Sequence, residues 1–253
     1  MPILYYHRAE APPATFKSWS LVRRRLFITY DVIPSALAAQ LDWLAVHGYT
    51  TILPRDLAAH WDHGAKLPVR PVIVTFDDGS HDWVTTVLPL LKARHMVAEF
   101  YLTLDAIRVG AISWADVRAL AAAGNGIGAH DVHHFQLANV GRGRPAASSA
   151  TMWAEVSGAR RIIAAKIGVP PDSMAYVGGG FDPRLEALVR KAGYSTARCI
   201  LRGVAQSVDR RFEMRVVRVG ARDDVVDLLT GQLVPGLPTF SARMRGASDI
   251  PSA

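Results

Sequence analysis

The chain has 253 residues, of which 50% are hydrophobic and 20% charged, and it carries a formal net charge of +7 with a pI near 9.8. This composition argues against disorder and is sufficient for a sizeable core, while the longest apolar runs fall far short of the roughly 20 residues that cross a bilayer. Because the basic residues are scattered and the single cysteine, Cys199, excludes an intramolecular disulfide, we expect no nucleic-acid partner, no membrane span and no cysteine-based metal site.

Predicted strands and helices alternate along the chain, with apolar β-branched runs indicating strands and apolar residues at helical spacing indicating helices. The predicted strands are 3–6, 50–53, 72–76, 97–102, 126–129, 173–177, 195–200 and 215–219. The predicted helices are 34–47, 54–63, 84–95, 114–123, 149–167, 183–192 and 223–233. Residues 8–31 form a polar excursion with scattered aromatic residues, for which no strand or helix is predicted. This alternation is typical of a parallel sheet and, at this length, of an α/β barrel.

The domain organisation predicted from this pattern is simple. We expect one barrel domain over residues 1–240 and a polar, disordered tail over residues 241–253. The first residues lack the basic segment and cleavage site of a signal peptide. As written, the chain is therefore expected to be cytoplasmic, and extracellular or in the envelope only if a leader was removed. The sequence gives no basis for predicting the oligomeric state.

Reactive side chains or flexible backbone follow the ends of four predicted strands. These positions are His7, Asp77, Asp78, His130, His134 and Gly178. Active sites of α/β barrels gather where the strands end at their C-terminal face. We therefore expect these residues to lie close together in the fold.

The carboxylates Asp77 and Asp78 and the imidazoles His130 and His134 suggest metal chemistry. Aspartate and histidine bind divalent ions such as zinc, and a site with three protein ligands keeps a position open for water. A leftover carboxylate beside such water can act as its base. The residues alone therefore indicate a metal-dependent hydrolase. The alternatives are helix capping by the two carboxylates and a solvated polar loop for the two histidines.

Two motifs carry a family resemblance. Residues 75–79 read TFDDG and residues 130–134 read HDVHH. They resemble the TFDDG and H-[ST]-x-x-H motifs of the polysaccharide deacetylase family, and the resemblance extends over roughly residues 3–235. It implies a distorted (β/α) barrel of about seven strands that removes N-acetyl groups from sugars by metal-assisted hydrolysis.

The resemblance also implies a role for each motif residue. Asp78, His130 and His134 would hold the metal, with zinc expected and cobalt or nickel as alternatives. Asp77 would be the general base that takes a proton from the activated water. The backbone N–H of Gly178 would complete an oxyanion site, while Tyr176 would either line the cleft or pack in the core.

The acid that protonates the departing amine needs a different source. The family usually supplies a late histidine, but no histidine follows His134 in this chain. His7 is similar to the acid in the N-terminal Tyr-His motif of the circularly permuted poly-N-acetylglucosamine deacetylase branch. We therefore expect His7 to be the acid and to titrate near neutrality. A structural histidine at a strand end is the alternative.

Residues 175, 131 and 177–180 depart from the family pattern, the last because the segment lacks the proline and the aromatic residue that shape a sugar subsite. Ala175 stands where the family usually has the arginine that orients the base, and Arg8 is a candidate substitute. Asp131 replaces the usual serine or threonine and could bind the metal. His133 is expected to face outward or to lie beside the ligands rather than to be one.

The sequence thus predicts a metal-dependent N-deacetylase acting on an amino sugar or glycan, with metal-bound water activated by Asp77. One alternative is an amidase or deformylase of the same superfamily that acts on a small amide substrate. The other is a degenerate, non-catalytic carbohydrate-binding protein, suggested by the missing arginine and the missing late histidine.

Overall fold

A computed structural model describes residues 1–139 and 146–219. The strands in these ranges are β1 Ile3–Tyr6, β2 Arg8–Ala9, β3 Asp31–Val32, β4 Thr50–Thr51, β5 Pro71–Asp78, β6 Glu99–Leu102, β7 Gly126–Ala129, β8 Ser173–Ala175, β9 Thr196–Arg202 and β10 Met214–Arg218. The α-helices are α1 Leu21–Tyr30, α2 Pro34–Val46, α3 Pro54–His63, α4 Leu88–Lys92, α5 Leu104–Arg108, α6 Trp114–Ala122, α7 Ser149–Ile167 and α8 Pro183–Ala192.

Seven parallel strands close a barrel in the order β1-β10-β9-β8-β7-β6-β5, and β5 pairs back to β1. The short strand β4 pairs in parallel with the first two residues of β5, while β2 and β3 form a separate parallel pair. The helices surround the barrel, so the predicted (β/α) barrel of about seven strands is confirmed. All seven C-terminal strand ends meet at one face, where sites of this architecture form.

Strand β5 shows how the sequence builds the barrel wall. Val72, Val74 and Phe76 pack in the larger core cluster, which lies between strands and helices, whereas Ile73 packs in a smaller cluster with residues of β1 and β10. Side chains alternate along a strand, so Asp77 lies on the same side as Ile73 and faces the barrel interior. Burial on both faces explains why β5 reads as a continuous apolar run.

The largest difference from the predicted elements lies in the excursion over residues 8–31. It contains α1, whose first turn is capped by Ser20, with its hydroxyl accepting from the Arg23 amide at 3.3 Å. The helix was missed because Phe27 is its buried residue while arginines dominate its first turns. Elsewhere, the predicted helix 84–95 begins as one π-helical turn, Trp83–Val87, before α4.

Some predictions lie outside the described residues. These are the helix over 223–233 and the disordered tail over 241–253, so the domain limits stay predictions. Among the described helices, none combines the length and apolar character needed to cross a membrane.

Candidate active site

The three predicted metal ligands lie together at the C-terminal face of the barrel. Each of these residues offers one ligand atom, and the three atoms, from Asp78, His130 and His134, lie within 4.8 Å of one another. The Asp78 Oδ1 atom is 3.4 Å from His130 Nε2 and 3.1 Å from His134 Nε2. Asp78 ends β5 and His130 follows β7, two strands separated only by β6. The parallel strands therefore deliver the two side chains to the same rim.

The backbone around these ligands is unusual. Asp78, Asp131 and His134 have φ values of 80°, 61° and 52°, in the left-handed region that side chains disfavour. Such conformations cost roughly 1–3 kcal/mol each and concentrate at functional sites. Gly79 has a φ of 111°, and a Cβ atom there would lie 2.7 Å from the Cβ of Ala106. Both constraints require glycine at the last position of TFDDG.

The hydrogen bonding of His130 fits a metal ligand. Its Nδ1 lies 2.8 Å from the backbone oxygen of Ala175. A carbonyl oxygen only accepts, so Nδ1 carries the proton and the Nε2 of the neutral ring keeps a free lone pair. A ligand histidine is commonly fixed in this way by a partner for its other nitrogen.

The electrostatics of the three residues also favour a cation. Burial alone would raise the pKa of Asp78, but the close contacts of its carboxylate with the imidazoles of His130 and His134 outweigh it and hold that pKa well below its usual range. Burial would lower the pKa of His130, yet the charge of Asp77 and the hydrogen bond and charge of Asp78 outweigh it and raise that pKa. These residues therefore fit a divalent metal in both donor type and charge.

Asp77 lies beside these three residues without being one of the clustered ligands. Its Oδ2 atom is 3.8 Å from His130 Nε2, and its Oδ1 accepts a short hydrogen bond from Nη2 of Arg198. Both members of this ion pair are buried. The Arg198 guanidinium lies over the rings of Tyr5 and Tyr101, at 4.4 and 4.8 Å from their centroids. The carboxylate is thereby held in one orientation.

Arg8, the candidate substitute for the missing arginine, does not contact Asp77. Arg8 lies on β2, outside the barrel wall, and donates to Asp31 at 2.8 Å. The arginine that contacts Asp77 is Arg198, on β9. One signal pointed to it: an arginine inside a short apolar strand is rarely tolerated unless its charge is paired.

His7 lies in the same cleft, but it does not titrate as expected. Its Nε2 is 2.9 Å from the Tyr5 hydroxyl, and its ring meets the edge of Tyr30 at a centroid distance of 4.5 Å. Burial lowers the pKa of His7 to about 4, although the charges of Asp77 and Asp78 act to raise it. The expectation of titration near neutrality is therefore wrong, because burial outweighs the nearby carboxylates.

One cleft of about 490 Å³ brings the predicted site residues together. Its lining includes His7, Asp77, Asp78, His130, His134, Tyr176 and Gly178. Tyr176 is only 1% exposed and stacks on Phe181, so it lines the cleft while also packing in the core. Gly178 has a φ of 61°. A volume of this size falls within the usual range for small-molecule sites.

Asp131 and His133 differ in their surroundings. Asp131 is 1% exposed and lies outside the cluster of ligand atoms among the described residues, although it follows His130 directly. Burial and the charge of Glu155 raise its pKa well above the usual value. His133 turns away from the ligands, as expected, and its Nδ1 lies 2.6 Å from Glu155.

Glu155, a residue that sequence reasoning missed, holds the loop that carries the histidines. This buried carboxylate on α7 accepts from the backbone amides of Val132 and His133 at 2.9 and 2.8 Å, as well as from the His133 ring. It thus fixes the segment between His130 and His134. Its position on a helix far along the chain gave no motif signal.

Replacing Glu155 with glutamine is expected to weaken zinc affinity about tenfold to a hundredfold, the range for residues that support metal ligands. The amide can still accept from backbone N–H groups, but it loses the charge and one acceptor. Calorimetric titration of zinc would measure the effect, with Glu186→Gln on α8 as the control. A dissociation constant unchanged from that of the original protein would contradict this role. Thermal unfolding of both metal-free proteins would separate a ligand-positioning effect from loss of fold.

Comparison with known proteins agrees with this geometry. A family model described as polysaccharide deacetylase matches residues 64–197, slightly more than half of the chain. The poly-β-1,6-N-acetyl-D-glucosamine N-deacetylase of Escherichia coli is 36% identical over 63 residues, which cover 25% of this chain and 9% of that protein. The match therefore spans about a tenth of the length of that curated relative.

Two solved structures share the fold. The deacetylase PplD of Streptococcus pyogenes, in complex with acetate, has a TM-score of 0.79 at 17% identity, covering 91% of this chain and 96% of that one. IcaB from Ammonifex degensii has a TM-score of 0.71 at 21% identity, covering 91% and 95%. With the matched family model and the barrel architecture, these findings establish that the chain belongs to the polysaccharide deacetylase family.

Proposed function

We propose that this protein is a metal-dependent hydrolase that removes N-acetyl groups from an amino sugar or glycan. The observation that carries the proposal is the pairing of a three-residue ligand cluster with a separate, oriented carboxylate. Asp78, His130 and His134 form this ligand cluster. Asp77 lies beside it and is held in place by its ion pair with Arg198. Amide hydrolysis needs both parts, since an amide is a poor electrophile and water is a poor nucleophile.

Asp78, His130 and His134 would hold the metal, and zinc suits their donor set best, with cobalt or nickel as alternatives. When bound, the ion supplies Lewis acidity both to the acyl oxygen and to the attacking water.

Asp77 is the general base of the proposed reaction. Its Oδ2 faces the ligand cluster, while its Oδ1 is engaged by Arg198. The free oxygen can take a proton from water as the oxygen of that water attacks the acyl carbon. Fixing the carboxylate in advance removes the cost of orienting it during the reaction.

His7 is the proposed acid for the departing amine. It is the imidazole of the cleft that lies outside the ligand cluster. With a pKa of about 4, it is neutral at pH 7 and must take up a proton in the cleft before donating it to the amine nitrogen. Asp77 and Asp78 favour this uptake, because their charges raise the pKa of His7.

Gly178 and Tyr176 complete the proposed cleft. We assign the backbone N–H of Gly178 to the developing oxyanion and the ring of Tyr176 to the substrate wall, since both residues line the cleft. Donors fixed in advance around a developing negative charge are a large source of catalysis.

The proposed substrate class is supported by the family and by the name of the Escherichia coli relative, which describes deacetylation of a poly-N-acetylglucosamine. The non-catalytic alternative rested on two missing family residues. Arg198 contacts Asp77, and His7 lies in the cleft, so both chemical roles have a candidate elsewhere in the fold. These contacts favour an active enzyme.

Removing the metal tests the proposal directly. Chelator treatment is expected to abolish acetate release from N-acetylglucosamine oligomers, and added Zn²⁺ or Co²⁺ should restore it. His134→Ala should weaken zinc binding more than about 100-fold, beyond the range for supporting residues. Added metal should not restore acetate release by this variant. His81→Ala, an exposed histidine that contacts Asp116, serves as the control. Undiminished turnover by the stripped protein would rule out the metal-dependent mechanism.

A further inference from the structure

Phe135 is a large apolar side chain that the fold leaves half exposed in the active-site cleft. It directly follows His134, lines the cleft, and is 54% exposed. Tyr176 and Val177 line the same cleft but are buried, with only 1% and 6% of their surface exposed. Phe135 therefore belongs to the open part of the cleft, whereas Tyr176 and Val177 form part of its buried wall.

The segment that carries Phe135 is held on both sides. Before it, Nδ1 of His133 lies 2.6 Å from the carboxylate of Glu155, on α7. After it, Leu137 and Ala138 are buried in the larger core cluster. The Phe135 ring stacks on the His133 ring at a centroid distance of 5.5 Å and an interplanar angle of 23°. One face of the Phe135 ring is therefore supported by a side chain that is itself anchored to a helix.

The chemistry around Phe135 indicates a sugar as its ligand. The C–H groups on one face of a pyranose ring form an apolar surface that packs against the face of an aromatic ring. Gln136 follows Phe135 in the cleft lining, and its amide has both donors and acceptors for the hydroxyl groups at the edge of such a ring. An aromatic side chain has only two rotatable bonds, so little conformational entropy is lost when its ring is covered.

The layout of the cleft indicates which sugar unit would cover the Phe135 ring. In the proposed reaction the acetyl group lies between Asp77 and the ligand cluster, so its own sugar occupies the cleft against Tyr176 and Gly178. Phe135 lies in the open part of the cleft, where the next unit of a chain of sugars would reach it. A small amide substrate would fill the inner part and would gain nothing from this ring.

We propose that Phe135 is a stacking surface for the sugar unit next to the one that carries the reacting acetyl group. The inference rests on the proposed deacetylase function and narrows its substrate class to glycans of linked sugar units, rather than a free amino sugar or a small amide. Phe135 is thus a specificity-determining residue that acts through binding and takes no part in proton transfer.

Calorimetric titration of the metal-free protein with N-acetylglucosamine and with its tetramer measures binding without turnover. We expect the tetramer to bind more tightly than the monomer. Phe135→Ala should weaken tetramer binding about tenfold, because it removes the ring contact and its apolar area, and should leave monomer binding within about twofold. Phe135→Trp should keep the tetramer affinity, because it retains an aromatic face.

Two controls separate the ring contact from other effects. Trp153→Ala, on α7, removes an aromatic ring that is 36% exposed and lies near Lys191, away from the described lining of the cleft, so tetramer affinity should not change. The zinc affinity of Phe135→Ala should not show the roughly tenfold to hundredfold loss typical of residues that support metal ligands. Such a loss would assign Phe135 to the support of His134 and overturn the stacking role.

The remaining outcomes also decide the inference. Tetramer binding that is no tighter than monomer binding, or that is unchanged in Phe135→Ala, would overturn it. Equal losses in the alanine and tryptophan variants would likewise count against a ring contact. Acetate release by the zinc-loaded protein is measured in parallel. Turnover of the tetramer without an effect of Phe135 removes only the stacking surface, whereas the expected binding pattern without any acetate release removes only the deacetylase function.

Discussion

Replacing Asp77 with asparagine is expected to reduce acetate release about 10²–10⁴-fold, the usual contribution of a positioned general base. The amide keeps the shape of the side chain and can still accept from Arg198, but it cannot take a proton from water. Since Asp77 lies outside the ligand cluster, zinc affinity should change far less than turnover. Initial rates with saturating zinc, divided by the concentration of folded protein, provide the measurement.

The control for this substitution is Asp105→Asn, on α5, where Asp105 pairs with Arg108 at 2.9 Å outside the cleft. It removes one carboxylate near the loop that carries His130 and His134. Turnover should stay within about twofold, because a surface ion pair contributes little free energy. Equal rates for the original protein and the Asp77 variant would refute the assigned base. A parallel loss of zinc binding would instead point to Asp77 as a ligand.

Replacing Arg198 with methionine is expected to lower the free energy of unfolding by about 3–5 kcal/mol, because it leaves a buried carboxylate without its ion pair. Arg198 is 0% exposed and Asp77 1% exposed, so water is a poor substitute for the missing partner on the buried side of the carboxylate. Urea denaturation of the metal-free protein would give the difference. Turnover should also fall, since the base would lose its fixed orientation.

A double-mutant cycle separates the ion pair from simple packing. Arg198→Met combined with Asp77→Asn should cost less than the sum of the two single changes, because no unpaired charge remains in the double variant. Arg94→Met is the matched control: Arg94 pairs with Asp42 at 2.7 Å, but Asp42 is 59% exposed. Exposed pairs contribute about 0–1 kcal/mol. A similar loss for Arg94 and Arg198 would contradict the importance assigned to burial.

The sequence allowed the barrel and the ligand cluster to be predicted because both depend on local patterns. Apolar runs indicate strands, and the residues after parallel strands share one rim, which brings Asp78 near His130 and His134. The pairing of Asp77 with Arg198 depends instead on which residues face each other inside the closed barrel. These residues are 121 positions apart and lie on strands β5 and β9, which are not neighbours. No local pattern encodes that contact.

Three further features could not be predicted from the sequence for a related reason. Glu155 belongs to a helix and reaches the histidine loop only after α7 packs against the barrel. The pKa of His7 likewise depends on how deeply the fold buries the ring, and sequence alone does not give that depth. Helix α1 was missed because its arginine-rich first turns suggested a polar loop.

The left-handed backbone at Asp78, Asp131 and His134 implies that these positions favour turnover at the expense of folding stability. Glycine would relax each of these positions, so a chain released from selection for turnover should gain folding stability by drifting toward glycine there. A descendant of this barrel that has become inert should then be recognisable by such replacements.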